Sequence, residues 1–148
     1  MATTIFDDHG IRFEYPTSWE LDVSDDDARE TISVQSPSGL AFVMLTLDTD
    51  RPSPGDLVDE AVSAMRQEFP GVEALPAADE VGDHRAEGYD LEFFALDLVG
   101  ACSVRAFRTP KRTILVFGQW SVVDADDEEP EAVFADVLRT LEESDGER

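Results

Sequence analysis

Lysine is almost absent from this chain: Lys111 is the single example in 148 residues, and only 11 basic side chains face 34 acidic ones, a formal net charge of -23. Nucleic-acid affinity rests on lysine and arginine neutralising phosphates, so this balance disfavours DNA or RNA as a partner, and anionic membrane surfaces for the same reason. In dilute buffer such a chain repels itself, whereas at molar salt the Debye length falls to about 3 Å and most of that repulsion is screened. The composition thus reads as adaptation to a salt-filled cytoplasm in a halophilic organism. Cysteine is as scarce. Cys102 stands alone, which excludes an internal disulfide and a cysteine metal cluster. No apolar run approaches a membrane span, and Met1 to Thr4 leads into Ile5 and Phe6 without the basic segment and long apolar stretch of a signal peptide. The expected location is cytoplasmic. Glycines are scattered at turns instead of forming a phosphate loop, no serine sits in a nucleophile elbow, and no histidine pair has metal-ligand spacing. Neither a cofactor nor a metal is expected.

What is present is the making of one folded domain over residues 1–148, with a polar tail that frays from about Ser144. A hydrophobic content of 42% argues against disorder despite the charge. Ile5 to Asp7 and Ile11 to Tyr15 flank the turn Asp8-His9-Gly10 and predict an opening hairpin, stopped by Pro16. Thr31, Ile32 and Val34 make a short strand ended by Ser36-Pro37-Ser38-Gly39. Leu40 to Leu47 is apolar except at Thr46, the pattern of a central strand covered on both faces. Ser53 is a candidate cap for a helix carrying Pro54 in its first turn and Leu57, Ala61, Met65 and Phe69 on one face, ended by Pro70-Gly71.

Three longer strands follow, over Tyr89 to Ala95, Ala101 to Thr109 and Thr113 to Val122, the last two joined through Pro110-Lys111. A final helix places Phe134, Val137, Leu138 and Leu141 on one face. Phe42, Met44, Leu115 and Phe117 are expected in the core. Two strands covered on both faces need cover on two sides, so the expected fold class is α+β, a mostly antiparallel sheet sandwiched between two helices.

Phe13-Glu14-Tyr15-Pro16-Thr17-Ser18-Trp19 resembles the opening strand and aromatic-proline-x-x-tryptophan step of the PsbP and Mog-type (Ran-binding import factor) superfamily, and Ser36-Pro37-Ser38-Gly39 is similar to its next hairpin. The resemblance implies an α/β/α, PsbP-like sandwich and a binding, scaffold or chaperone-like role. It carries over no catalytic residue, and the chain departs from PsbP in lacking a targeting segment.

Four of the 11 cations, Arg105, Arg108, Lys111 and Arg112, fall within eight residues. They are candidates for binding a protein partner or anionic ligand through arginine forks, or they pair with Asp90, Glu92 or Asp97 on a neighbouring strand. Tyr15 and Trp19, beside Pro16, either line an apolar ligand groove or close the end of a core. Asp25-Asp26-Asp27 and Asp124 to Glu129 lack calcium-loop spacing and read as solvated acidic loops. His9 and His84 each lie near aspartates and could act as an acid or base.

The function expected is that of a non-enzymatic cytoplasmic binding or adaptor protein. A small hydrolase built on a histidine and carboxylates, or a carrier for apolar small molecules, is the alternative. Stability should rise steeply between about 0.1 M and 2 M potassium chloride as carboxylate repulsion is screened. Thermal melts across that range check this, and a flat melting temperature would count against salt adaptation.

Overall fold

The computed structural model describes residues 2–26, 29–95, 98–121 and 129–143. In chain order they form β1 (Thr3–Asp8), β2 (Ile11–Pro16), β3 (Glu20–Asp26), β4 (Arg29–Gln35), β5 (Phe42–Asp48), α1 (Pro54–Glu68), β6 (Glu73–Val81), β7 (His84–Ala95), β8 (Leu98–Arg108), β9 (Thr113–Ser121), α2 (Glu129–Thr140) and β10 (Glu142–Glu143). The fold is α+β, mainly antiparallel sheet with two helices. The larger sheet has seven strands in the order β3-β4-β5-β9-β8-β7-β6, and β1-β2-β10 form a separate three-stranded sheet.

Local chemistry explains the hairpins. His9 and Gly10 both take positive φ, 54° and 80°, the requirement of the tight turn whose twist matches its flanking strands. Gly82, at φ 60°, turns β6 into β7 with Asp83. Ser53 occupies the N-cap of α1, but its hydroxyl makes no capping bond. Its carbonyl instead accepts the amides of Asp56 at 3.1 Å and Leu57 at 3.2 Å.

Successive residues of β9 enter different cores. Ile114 and Val116 pack with α2, β1 and β2, whereas Leu115 and Phe117 join a second cluster under α1 with Leu57, Val62, Leu91 and Val104. Cover on the α2 side therefore comes from a helix together with the small sheet. The α1 side is covered unevenly, because α1 packs on β7, β8 and β9. Leu115 is buried as expected, but Phe42 and Met44 on β5, and Phe117 opposite Met44 on β9, are only half-buried, since the β5 side of this face has less cover from the helix. Phe42 and Phe117 instead stack on each other, with ring centroids 6.0 Å apart.

Three strands depart from expectation. The acidic run begins inside β3, not in a loop, with Leu21 and Val23 packed against the core between solvent-facing residues. β7 begins at His84, ahead of the expected start at Tyr89. β6 carries Pro76, which an edge strand tolerates and a central one does not. Asp27, Asp97, Asp124 to Glu128 and the tail from Ser144 lie outside the described residues.

Leu45 is fully buried, so Leu45→Ala should lower unfolding free energy by about 2–5 kcal/mol. Phe42→Ala should fall below the ~3–5 kcal/mol typical of a buried phenylalanine. Urea denaturation of the two variants tests this division between the faces of β5.

Candidate functional site

The turn between β8 and β9 is closed by the Thr109 amide, which donates to the Arg112 carbonyl at 2.8 Å, and by the Thr109 hydroxyl, which accepts the amides of Lys111 and Arg112 at 3.2 Å each. The four cations around it have different fates. Arg105 points toward α2 and is 5% exposed. Its Nε donates to Asp79 Oδ2 at 2.7 Å and its NH2 to Asp90 Oδ1 at 2.9 Å, while NH1 donates to the carbonyls of Tyr89 and Val104. The guanidinium carbon lies 5.9 Å from the Phe134 ring centroid, within cation–π range. Gly88 lies opposite Arg105 in the β7–β8 register, and a side chain there would run into the Val104 carbonyl.

Arg112 is also largely internal. Its NH1 donates to the His9 carbonyl at 2.7 Å, and its Nε stands 3.2 Å from Glu143 Oε2 without hydrogen-bond alignment. The Thr109 hydroxyl donates to the same carboxylate oxygen at 2.8 Å. These contacts tie the β8–β9 turn to the β1–β2 turn and to β10 of the small sheet. Lys111 is exposed and has a partner of its own. Arg108 is exposed too, with NH1 donating to the Arg51 carbonyl at 3.2 Å.

Arg108 borders a groove, a cavity of about 600 Å³ between the N-terminal end of α1 and strands β6, β7 and β8. Val58, Tyr89 and Ala106 are among its apolar lining residues, and Asp59, Arg85 and Glu87 among its charged ones. Arg85 and Glu87 lie 3.9 Å apart and are well exposed, so water screens their attraction. Sequence reasoning missed this groove because it missed β6. Arg85 comes near Arg108 because β7 begins at His84, ahead of the expected start at Tyr89, and runs beside the end of β8.

Trp19 is 4% exposed, in the core with Phe6, Ile11 and Phe13, and Tyr15 is half-buried with its ring 6.1 Å from Phe13. The two side chains close the end of that core. The His84 ring packs against Phe107 at a tilt of 31°, with centroids 5.2 Å apart. His9 Nδ1 meets Glu30 Oε2, with Asp25 beside them. Cys102 is 1% exposed; burial first, then the charge of Asp90, pushes its thiol up to about 12, with Arg105 opposing.

No protein-family model matches the chain, and no curated protein matches it in sequence. Among solved structures, a protein of Bacteroides thetaiotaomicron superposes with a TM-score of 0.56 at 13% identity, over 94% of this chain and 47% of that one. The chain thus spans about half the length of that protein. PA94 of Pseudomonas aeruginosa, of unknown function, gives 0.48 at 14% identity, over 91% of this chain and 94% of its own. LpqN, involved in cell envelope biogenesis of Mycobacterium tuberculosis, gives 0.49 at 12%, over 95% and 89%. Identities this low establish a likeness of fold alone, and only the first superposition is close enough to carry it. Among the described residues no helix is long and apolar enough to cross a membrane.

The buried thiol sets a chemical expectation. Cys102 should resist a disulfide reagent at pH 8 in the native protein and react once urea unfolds it. Its raised pKa stabilises the fold below the ordinary thiol value of 9.0, and that contribution is lost as pH rises toward about 12. Denaturation midpoints for the wild type and Cys102→Ala should converge across that window.

Proposed function

We propose that the chain is a non-enzymatic binding module whose ligand seat is the groove between α1 and strands β6 to β8. The observation that supports this reading most is Arg108, an exposed guanidinium at the edge of a cavity of about 600 Å³ whose floor includes Val58, Tyr89 and Ala106. The exposed lining is more polar than apolar, so a ligand here would be held chiefly by placed polar groups, the part of a small-molecule site that fixes orientation. Charge supports it as well. Arg85 and Arg108 balance Asp59 and Glu87 among the groove's charged residues, in a chain whose acids outnumber its bases 34 to 11. An anionic group on an apolar body would find its least repulsive seat here, with Arg108 offering a fork to carboxylate or phosphate. Arg105 and Arg112 already face carboxylates within the fold, and of the two exposed cations, Arg108 and Lys111, Arg108 lines the groove.

The PsbP and Mog-type resemblance, the complete sandwich it implies, and a cytoplasmic setting in a salt-adapted cell belong to the same proposal. The uneven helix cover and the small sheet on the α2 side are this chain's particular version of that architecture.

Amide chemical shifts of labelled protein titrated with octanoate and octyl phosphate test the seat, with an octyl ammonium ion as control. Saturable shifts should cluster at residues 85–89 and 106–108 for both anions, and Arg108→Gln should weaken binding by about tenfold or more, the loss typical of a charge-assisted hydrogen bond. Shifts centred elsewhere, or affinity unchanged in Arg108→Gln, would remove the groove as the ligand seat.

A further inference from the structure

We propose that His9, Asp25 and Glu30 form a binding site for a divalent metal ion of the zinc class, clamping the β1–β2 turn onto the edge hairpin β3–β4. This site is independent of the groove beside α1. Asp25 and Glu30 are directly opposed in the antiparallel register of β3 and β4. Two carboxylates in that relation repel each other and destabilise the pair unless a cation lies between them. His9 comes to the pair from the other sheet, and one donor atom from each of the three residues lies within 4.8 Å of the others. Ligand atoms around a zinc ion at about 2.0–2.2 Å stand roughly 3–3.5 Å apart. Small side-chain rotations therefore suffice to close the set.

The imidazole is held where it is needed. Its ring lies parallel to that of Phe6, with centroids 6.2 Å apart and planes 2° from coplanar. The His9 amide donates to Asp8 Oδ1 at 2.8 Å, and its carbonyl accepts from Arg112 NH1 at 2.7 Å. Arg112 in turn faces Glu143, so its charge is compensated on the side away from His9. Support of this kind fixes a ligand's orientation before the ion arrives.

The donor set selects the metal class. One imidazole nitrogen with two carboxylate oxygens suits zinc and its transition-metal neighbours, whereas magnesium and calcium prefer oxygen throughout. His9 and Glu30 side chains retain 25% and 27% exposure, and Asp25 is exposed. Solvent therefore reaches the remaining coordination position, as in zinc sites with three protein ligands and a water. Spacing along the chain conceals the site, because the ligands come from a turn in one sheet and two strands in the other.

The test uses the full chain in about 1 M potassium chloride, where diffuse attraction of cations to the acidic surface is screened. Calorimetric titration with zinc chloride should give one ion per chain, with binding retained in a tenfold excess of magnesium. His9→Asn, chosen because asparagine accepts positive φ, and Asp25→Asn should each weaken binding by at least about tenfold. His84→Asn should leave it unchanged. No saturable binding, or affinity preserved in both His9→Asn and Asp25→Asn, would overturn the proposal and leave His9 and Glu30 as a simple ion pair. A second readout does not depend on the variants' folding at the site. The chain has 2 histidines, and cobalt(II) should broaden the His9 ring resonances of the wild type while those of His84, assigned through His84→Asn, stay sharp. Broadening of His84 alone, or of neither ring, would also overturn it.

Discussion

Burial of β9 on both faces is the constraint from which the architecture follows. Ile114 and Val116 require cover from one side and Leu115 from the other, and a single layer on one face cannot satisfy both. β5 lies on one side of this strand and β8 on the other, so the strands richest in apolar residues occupy the middle of the seven. The chain must then return to each face of the sheet. It does so with α1 between β5 and β6, and with α2 after β9. The opening hairpin completes the second layer, placing Phe6, Ile11 and Phe13 beside α2.

Electrostatics imposes a second economy on so acidic a chain. Several of its few arginines lie beside carboxylates within the fold. Arg29 Nε donates to Asp48 Oδ2 at 3.1 Å, and Asp48 is 5% exposed. Arg105 joins three strands, drawing Asp79 from β6 and Asp90 from β7 onto β8. Losing the cation from a buried pair leaves a charge with poor solvation, so these arginines are harder to replace than surface ones. The partial exposure of Asp79 and Asp90, 44% and 54%, moderates that penalty. It also leaves Arg108 as the member of the basic cluster whose guanidinium is at the surface and beside a cavity.

Continuous apolar runs were the most legible part of the sequence. They located β5 and β9, and helical spacing with Pro54 and Pro70 bracketed α1. β6 was hidden because Pro76 and the polar pair Asp79-Glu80 oppose a strand pattern, and only its edge position makes them tolerable. That omission spread. Cross-strand reasoning could reach Asp90 as a partner for Arg105 but not Asp79. Phe42 and Met44 were expected to be buried from the apolar run Leu40 to Leu47, yet their exposure is set by where α1 packs, a fact that no local pattern contains. His9, Asp25 and Glu30 illustrate the same limit, because their meeting depends on how one sheet lies against another.

Both outer strands of the large sheet resist extension by another chain. β6 carries Pro76 together with Asp79 and Glu80, and β3 carries Glu20, Asp22, Asp25 and Asp26. Proline and repeated like charges are the usual guards on a sheet edge, the first removing a donor and the second repelling a similar strand. Recognition by adding a strand is thus disfavoured at both ends, and the concave surfaces beside α1 are the better places for a ligand. They exist because one helix of 15 residues cannot cover a face of seven strands. A groove toward β6 and a smaller one of about 200 Å³ toward β5 flank it. The incomplete cover that leaves Phe42 and Met44 half-buried is therefore the same geometric mismatch that opens the proposed ligand seat on the other side of the helix.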